Sequence, residues 1–374
     1  MASLGVALIG TGFMGKCHAM AWSHVRPVFG DVPEIRLEAL CDIDPELTAK
    51  RSAEYGFARA ETDWRKLIDD ERIDIVSITA PNNVHREMAV AFLEAGKHVW
   101  CEKPMALTLE ESEAMAAAAQ KAKGRTLLGY NYIKNPAVAH AKHLLETGVI
   151  GDVVHFRGQV DEDYLASPDV PWSKRARIDL WGLGTLGDIT CHLVSFAHFL
   201  LGDIASVAAD METVVKQRPV PGTNEMREVE NEDIAHAIVR FKSGISGMLA
   251  SSRAAWGRKN LIRFEIHGSK GMLVFDQERM NELQLYATEG AEATRGFRTI
   301  LTGPSHSPYG QFTPAPGHQL GFNELKVIEA KHLLDCIADG SECFVNFAEG
   351  LKIERVIHGM ARSARERSWV KVNA

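Results

Sequence analysis

Apolar and polar positions follow two different periods along the first third of the chain. Short runs of β-branched and other apolar residues alternate with segments whose apolar residues recur every three to four positions. This order is typical of strand–helix–strand units that build a parallel sheet. The predicted strands are 4–9, 37–41, 74–79 and 98–101, and the predicted helices run from the glycine-rich segment at 10–15 through Trp22, over 47–55, from a cap at Asn82 or Asn83 to Gly96, and over 108–123.

The pattern changes after residue 129. A predicted helix over 136–146 precedes longer runs of alternating apolar and polar residues, which predict one broad, largely antiparallel sheet. The strands of this sheet are 153–160, 204–213, 233–241, 247–252, 261–267 and 272–275. The segment 290–321 is rich in Gly, Pro, Ser and Thr and predicts a long loop, after which the sequence predicts helices over 323–337 and 348–365 and a short strand over 369–372.

The composition is that of a globular protein long enough for two domains. The chain has 374 residues and a formal net charge of −7, so no basic field favours a nucleic-acid partner. It has no run of about 18 apolar residues and no signal-peptide pattern, so no membrane partner and no export are expected. The six cysteines lack metal-ligand spacing, which predicts no metal site and reduced thiols in the cytoplasm.

A glycine-rich loop with the sequence GTGFMG occupies positions 10–15, between the first predicted strand and helix. In that setting Gly10 permits a tight turn, Gly12 lets the backbone approach a pyrophosphate, and Gly15 allows close helix packing. Phe13 and Met14 then open the helix, whose N-terminal amides can bind the anion. The alternative interpretation is a purely structural strand–helix turn.

Asp42 ends the second predicted strand. A carboxylate at this position accepts hydrogen bonds from the two adenosine ribose hydroxyls and repels a 2′-phosphate, which favours NAD over NADP. The interval from the glycine loop is longer than usual, so a solvated strand-end aspartate is the alternative.

Four motifs in this order resemble those of the Gfo/Idh/MocA family, named for glucose–fructose oxidoreductase, inositol dehydrogenase and a rhizopine-catabolism protein. The similarity covers nearly the whole chain. It implies an α/β protein with an N-terminal Rossmann dinucleotide-binding domain over 1–128. A C-terminal α/β domain over 129–374, with a large, mostly antiparallel open sheet, then serves substrate binding and assembly into a homodimer or homotetramer. The motifs are the glycine loop, Ala80-Pro81-Asn82-Asn83-Val84-His85, Glu102-Lys103-Pro104 and Gly187-Asp188-Ile189-Thr190-Cys191-His192.

The resemblance extends the set of cofactor neighbours beyond the glycine loop and Asp42. It implies that Ala80, Asn82, His85, Glu102 and Lys103 lie near the cofactor. The Glu102 carboxylate is a candidate for the nicotinamide ribose, although pairing with a neighbouring cation is equally open.

Three residues supply the chemistry that alcohol oxidation requires. His192 is the candidate base for the hydroxyl proton, Lys103 the charge that stabilises the developing alkoxide, and Asp188, one helical turn before His192, the group that orients the imidazole. The alternative, purely structural roles are a helix N-cap for Asp188, a core histidine for His192 and a solvated charge for Lys103. The family often has an aspartate three positions after the histidine, where this chain has Ser195.

The candidate substrate residues combine aromatic faces with fixed donors, which suits a polyhydroxylated ring. Asn131 and Tyr132 follow the last strand of the first domain, and His318 lies in the long loop, where it can reach the substrate, a neighbouring subunit's site or only solvent. With Lys103, Asp188 and His192, the full candidate set also includes Trp172, Arg175 and Arg177.

The sequence therefore predicts an NAD-dependent oxidoreductase that converts a secondary ring hydroxyl of a cyclic polyol or pyranose to a ketone. Inositols, anhydrosugars of the levoglucosan type and related monosaccharides are the expected substrates. Two alternatives stay open: a glycoside-cleaving enzyme that recycles tightly bound NAD, and a non-catalytic dinucleotide-sensing regulator. The joint presence of Lys103, Asp188 and His192 argues against the regulator.

Overall fold

A computed structural model describes residues 3–372, which form two compact units. The first unit contains the chain through Asn131 together with Leu320–Leu351, and the second contains Tyr132–Gln319 and the chain from Lys352 onward. The predicted division at residue 128 remains a prediction about domains, and the structure adds that residues 320–351 pack with the first unit.

The first unit is built on a six-stranded parallel sheet, as the alternating pattern predicts. The strand order is β3-β2-β1-β4-β5-β6, so the chain reverses direction across the sheet after β3 and the carboxyl ends of β1 and β4 lie side by side. The three-residue strand β3 was not predicted. The strands are β1 Leu4–Ile9, β2 Ile35–Cys41, β3 Arg59–Glu61, β4 Ile75–Ile78, β5 His98–Cys101 and β6 Thr126–Leu128, and the helices are α1 Phe13–Phe29, α2 Pro45–Tyr55, α3 His85–Glu94 and α4 Leu109–Lys121.

Side-chain caps set the starts of two of these helices. Asp44 accepts the amides of Glu46 and Leu47 before α2, and Thr108 accepts the amide of Glu111 before α4. The prediction that Asn82 or Asn83 caps α3 is wrong. The N-cap position is Val84, and both asparagines lie in a short 3₁₀ turn, Asn82–Val84, that leads into α3.

The second unit contains the predicted broad sheet. Its nine strands are ordered β16-β15-β14-β13-β7-β12-β11-β8-β17, and only the β7–β12 pair is parallel. A separate two-stranded hairpin is formed by β9 and β10. The strands are β7 Val153–Asp161, β8 Ile204–Glu212, β9 Gln217–Pro219, β10 Met226–Glu228, β11 Ile234–Phe241, β12 Ser246–Ser252, β13 Leu261–Gly268, β14 Gly271–Asp276, β15 Glu282–Ala287, β16 Arg298–Leu301 and β17 Val370–Lys371.

One face of this sheet packs against a buried helix. A Cβ added to Gly158 on β7 would lie 2.6 Å from Cδ1 of Leu193, so the absence of a side chain at Gly158 lets the helix approach the sheet closely. The helices of this unit are α5 Pro136–Glu146, α6 Ile178–Trp181, α7 Cys191–Leu201, which carries Leu193, and α8 Tyr309–Phe312.

Two segments in the last third of the chain differ from the prediction. The predicted loop over 290–321 contains β16 and α8, and β16 pairs with the unpredicted strand β15. The two final helices are α9 Phe322–Asp339, which belongs to the first unit, and α10 Phe347–Glu366. Among the described residues, every helix is too short or too polar to cross a membrane.

Candidate active site

Different structural requirements account for glycine at the three positions of the loop. Gly10 has φ +100°, and a Cβ there would lie 2.7 Å from the Thr79 carbonyl oxygen. A Cβ on Gly15 would lie 2.2 Å from the Gly10 carbonyl oxygen, whereas a Cβ on Gly12 would meet no atom within 4 Å. Packing therefore explains Gly10 and Gly15 but not Gly12, whose bare backbone faces open space as a ligand-binding backbone would.

The N-terminus of α1 provides donors for an anion. Gly12 is the N-cap, and because glycine has no side chain, no capping oxygen competes for the first amides of the helix. These amides carry the positive end of the helix dipole. Phe13 is 71% exposed and stacks on Phe322 with ring centroids 5.8 Å apart, while Met14 is half-buried. The loop therefore fits a dinucleotide pyrophosphate.

Asp42 lies beside the glycine loop despite the long interval in sequence. Its Oδ2 accepts hydrogen bonds from the Thr11 amide at 2.8 Å and the Thr11 hydroxyl at 2.6 Å, and its Oδ1 accepts the Ile43 amide at 2.7 Å. A merely solvated aspartate does not describe this position, because the carboxylate braces the loop. Its contact with an adenosine ribose stays a prediction.

His85 connects the loops that follow β4 and β5. The buried imidazole lies between two carbonyls, with Nε2 2.8 Å from the oxygen of Ala80 and Nδ1 3.0 Å from that of Pro104. Burial lowers its pKa, so the ring is neutral and donates to one of the two. His85 therefore supports the loops, and Asn82 is buried in the neighbouring 3₁₀ turn.

Glu102 pairs with a cation, as one of the two alternatives from the sequence predicts, and its contact with the nicotinamide ribose stays a prediction. Its Oε1 accepts hydrogen bonds from Nζ of Lys326 at 2.5 Å and from Nε2 of His18 at 2.9 Å. A Cβ on Gly129 would lie 2.3 Å from the same oxygen, so the glycine leaves room for the carboxylate. Lys103 follows directly, its amide donates to Glu102 Oε2 at 3.3 Å, and its peptide bond to Pro104 is cis.

Asp188 lies in a π-helical turn, Leu186–Thr190, directly before α7. The sequence predicted an α-helical turn here, and the N-cap interpretation of Asp188 is wrong because the N-cap of the turn is Thr185. Oδ2 of Asp188 instead accepts a 2.5 Å hydrogen bond from the hydroxyl of Tyr164. A π-turn of this kind is frequent at functional sites.

Buried polar groups hold this π-turn in place. Oε1 of Glu232 accepts the Leu186 amide at 2.9 Å, and the Glu232 carbonyl accepts the Thr185 amide at 2.9 Å. The Thr190 hydroxyl donates to Oγ of Ser251 on β12 at 2.7 Å. The turn is thus attached to the start of β11 and to β12, and burial raises the pKa of Glu232.

A buried arginine, Arg253, interacts electrostatically with Asp188. Arg253 pairs with Oδ1 of Asp233 at 3.0 Å and donates to Oδ1 of Asn231 at 2.6 Å. Although burial disfavours its charge, the electrostatic influence of Tyr164, Asp233 and Asp188 raises its pKa. Arg253 is therefore a fixed positive charge close enough to act on the Asp188 carboxylate, and neither it nor Tyr164 was found from the sequence.

His192 is buried on α7. Its ring packs edge-on against Tyr132 with centroids 4.7 Å apart. The Tyr132 hydroxyl accepts a hydrogen bond from Nδ2 of Asn260 at 2.9 Å. The structure therefore brings together His192 and the predicted substrate residue Tyr132, while Asn131 is buried at the end of the first unit.

The other four predicted substrate residues contact neighbouring residues of the second unit. Nε1 of Trp172 donates to the Glu228 carbonyl at 3.0 Å, which fixes the indole to the hairpin of β9 and β10. The guanidinium of Arg175 lies 4.5 Å from the Trp181 ring, and Arg177 forms an ion pair with Asp179. His318 is exposed, with Nδ1 3.3 Å from the Pro316 carbonyl. A substrate role for these four residues stays a prediction.

The first unit contains one thiol–imidazole group that the sequence did not predict. His332, Cys336 and Cys343 bring potential ligand atoms within 4.8 Å of one another. Nε2 of His332 accepts the Phe344 amide at 3.0 Å, so this nitrogen already has a protein donor that a metal ion would have to replace.

Sequence comparisons match both units. Residues 4–130 match the model described as "Oxidoreductase family, NAD-binding Rossmann fold", and residues 138–274 match the "GFO/IDH/MocA C-terminal domain". A levoglucosan dehydrogenase of Pseudarthrobacter phenanthrenivorans is 38% identical over 100% of this chain and 99% of its own length. A myo-inositol 2-dehydrogenase of Thermotoga maritima is 27% identical over 78% of this chain and 80% of its own.

A solved structure of a relative has the same fold over the full length of this chain. The structure of a levoglucosan dehydrogenase in complex with NADH and levoglucosan superposes with a TM-score of 0.96 at 38% identity. The alignment covers 100% of both chains. The similarity therefore extends over both units and is not limited to the dinucleotide-binding fold.

Proposed function

Because the chain belongs to the Gfo/Idh/MocA family of NAD-binding oxidoreductases, we propose that it is a sugar or polyol dehydrogenase. It oxidises a secondary ring hydroxyl of a cyclic polyol or pyranose to the ketone, and anhydrosugars of the levoglucosan type are the first candidates. The observation that carries this proposal is the 38% identity to a levoglucosan dehydrogenase over the whole of this chain.

His192 is the proposed general base and takes the hydroxyl proton of the substrate. The buried Tyr132 ring, which packs against His192, limits the orientations of the imidazole. Asp188, held by Tyr164, is the proposed orienting group for the imidazole or a substrate hydroxyl. Lys103 stabilises the negative charge that develops on the oxygen as its proton leaves. NAD, when bound, would accept a hydride from the carbon that carries this hydroxyl. Both electrons of that C–H bond leave with the hydride, and the carbon becomes the ketone carbon.

The first unit carries the proposed cofactor residues. The open backbone at Gly12 and the amides that begin α1 bind the pyrophosphate, and Asp42 binds the adenosine ribose. Since Asp42 repels a 2′-phosphate, we expect a preference for NAD over NADP.

The direct test is NADH formation, followed by absorbance, with NAD and a panel of levoglucosan, inositols, aldoses and glycosides. We expect one sugar class to give NADH, and NADP to be a poorer acceptor. Glycoside cleavage without net NADH, by protein that retains NAD through gel filtration, would replace the dehydrogenase with a cofactor-recycling enzyme. Silence across the panel with NAD bound would favour a dinucleotide-sensing regulator.

The open face of the large sheet supports a homodimer or homotetramer. Ile238 on β11 and Met248 on β12 are cross-strand neighbours, and each is 51% exposed. An antiparallel sheet places alternate residues on opposite faces, so these two side chains lie on the face opposite the buried Val239 and Leu249. We propose that this exposed apolar pair lies in a subunit contact, because the buried core of an interface is richer in apolar side chains than the rest of a protein surface.

The thiols support the cytoplasm as the proposed compartment. In the part of the chain that the structure describes, the six cysteines are buried thiols outside any disulfide, which is the usual state in a reducing environment. Cell fractionation with an antibody to the protein tests this placement, and recovery in an exported fraction would contradict it.

A further inference from the structure

A buried ionic network joins three distant segments of the first unit. Lys326, on α9, is fully buried and lies 2.5 Å from Oε1 of Glu102 and 2.8 Å from Oε2 of Glu329. His18, on α1, shares Oε1 of Glu102 at 2.9 Å and stacks on Trp100 with centroids 3.7 Å apart. One carboxylate at the end of β5 thus contacts both the helix that begins at the glycine loop and the helix near the end of the chain.

Burial and pairing set the charge states of His18, Glu102 and Lys326. Burial lowers the pKa of His18 to about 4, so the imidazole is neutral and donates through Nε2. Burial opposes the charges of Glu102 and Lys326, but their mutual attraction keeps the pKa of Glu102 well below its usual range and raises that of Lys326. The Lys326 ammonium is therefore the cation that keeps Glu102 ionised inside the protein.

The position of Glu102 gives the network a consequence beyond stability. Glu102 immediately precedes Lys103, and its second oxygen accepts the Lys103 amide. His18 lies one and a half turns into α1, the helix whose first amides form the anion-binding end of the glycine loop. A shift of the Glu102 carboxylate would therefore move the Lys103 backbone relative to α1.

We propose that Lys326 is a positioning residue of the cofactor site, which acts through Glu102 to hold the Lys103 segment in register with the glycine-loop helix. The proposal rests on the assignment of these elements to NAD binding. Sequence alone gives no sign of this role, because α9, which carries Lys326, is separated from Glu102 in the chain by residues 132–319 of the second unit.

The test is a double-mutant cycle on the dissociation constant of NADH, measured by quenching of protein fluorescence. Lys326→Met and Glu102→Gln should each weaken NADH binding about tenfold, and the double variant should bind no more weakly than Glu102→Gln alone, because a residue that acts through Glu102 has no further effect once Glu102 is changed. Lys331→Met is the matched control. Lys331 lies on the same helix and pairs with Asp335 at 2.6 Å, and this variant should bind NADH within about twofold of wild type.

The outcomes separate positioning from general stability. An unchanged NADH affinity in Lys326→Met overturns the proposal, and so does an additive loss in the double variant. If Lys326→Met does not fold because Glu102 and Glu329 both lose this buried cation, the change is made together with Glu102→Gln and Glu329→Gln, which neutralises all three side chains. The NADH affinity of this triple variant is compared with that of Glu102→Gln/Glu329→Gln, and a further loss overturns the proposal. Failure of wild-type protein to bind NADH would instead remove the cofactor assignment itself, so the two failures are distinguishable.

Discussion

The hydroxyl of Tyr164 donates a 2.5 Å hydrogen bond to Oδ2 of Asp188, inside the second unit. Burial, and then the Asp188 charge, raise the pKa of Tyr164 well above its usual value, so the phenol remains a donor throughout the neutral range. Asp188 sits in a π-turn that Glu232 and Ser251 also hold. The orientation of the Asp188 carboxylate is therefore set by residues outside its own helix.

Tyr164→Phe removes this donor with little change in volume. Loss of a hydrogen bond to a charged group costs about 1.5–3 kcal/mol. If Asp188 orients His192 or the substrate, kcat/KM should fall by about 10- to 100-fold, as 1.4 kcal/mol corresponds to a factor of ten. Steady-state kinetics on the sugar that gives NADH measure this loss.

A second tyrosine serves as the control for the loss of a phenol hydroxyl elsewhere in the protein. Tyr286 lies on β15, far along the sheet order from the π-turn, and packs against Phe297. Tyr286→Phe should leave kcat/KM within about twofold of wild type. A Tyr164→Phe enzyme as active as Tyr286→Phe would contradict the orienting role of the Tyr164–Asp188 bond.

The sequence predicted the parallel sheet at whose edge the candidate cofactor residues lie, and the structure confirms that sheet. The glycine loop, Asp42 and Lys103 each follow a strand in the predicted parallel sheet, and parallel strands bring their carboxyl ends to one edge. Partners from distant segments were missed. Tyr164 lies in a loop and Lys326 in α9, and neither position reveals its carboxylate partner in a single sequence.

Two of the strands that the sequence analysis missed, β3 and β15, were missed for different reasons. Strand β3 has only three residues, too few to show a period of two, whereas β15 has clear alternation, with Leu283 and Leu285 buried between polar neighbours, and could have been predicted. The π-turn at Asp188 was not predictable, because a spacing of four residues to His192 fits an α-helical turn equally well.

Gly12 and Gly15 should respond differently to alanine. Gly15→Ala places a Cβ 2.2 Å from the Gly10 carbonyl oxygen and should lower the thermal midpoint by several degrees. Gly12→Ala meets no protein atom within 4 Å, so its thermal midpoint without cofactor should stay near that of wild type while its dissociation constant for NADH rises about tenfold or more. Thermal scans and NADH titrations of both variants test this contrast, and unchanged NADH affinity in Gly12→Ala would remove the pyrophosphate from that position.

His18 should make the protein less stable in acid. Its pKa of about 4 in the folded protein lies below its ordinary value of 6.5, so between these values the unfolded chain binds a proton that the native state does not. Stability from His18 is thus fully present above pH 6.5 and is lost as the pH falls towards 4, with a loss on the order of 2 kcal/mol at pH 5. His18→Gln keeps a donor for Glu102 and should reduce the difference in urea midpoint between pH 7.5 and pH 5.

An exposed histidine on the same helix is the control. His24→Gln, on α1, should leave that pH difference as in wild type, because His24 is exposed. Equal pH differences in His18→Gln and wild type would show that another group dominates the acid response.

The proposed subunit contact can be tested at the Ile238–Met248 pair. Wild type should have a solution mass of two or four times 41.2 kDa by light scattering. Ile238→Glu would bury an unpaired charge in that contact and should shift the mass towards that of one chain. Val214→Glu, at an exposed apolar position in the loop between β8 and β9, should leave the mass unchanged. A monomeric wild type, or an oligomer unaffected by Ile238→Glu, would exclude this face.

Lys103→Met should separate chemistry from cofactor binding. The methionine keeps much of the length of the side chain but has no charge to stabilise the alkoxide, so kcat should fall by about 10²- to 10⁴-fold. The NADH dissociation constant should change by less than about threefold, because Gly12, the amides of α1 and Asp42 are intact. Lys121→Met, at the exposed end of α4, controls for the loss of a lysine charge. Turnover near that of wild type in Lys103→Met would assign the alkoxide charge to another residue, and loss of NADH binding together with kcat would make Lys103 a cofactor residue rather than a catalytic one.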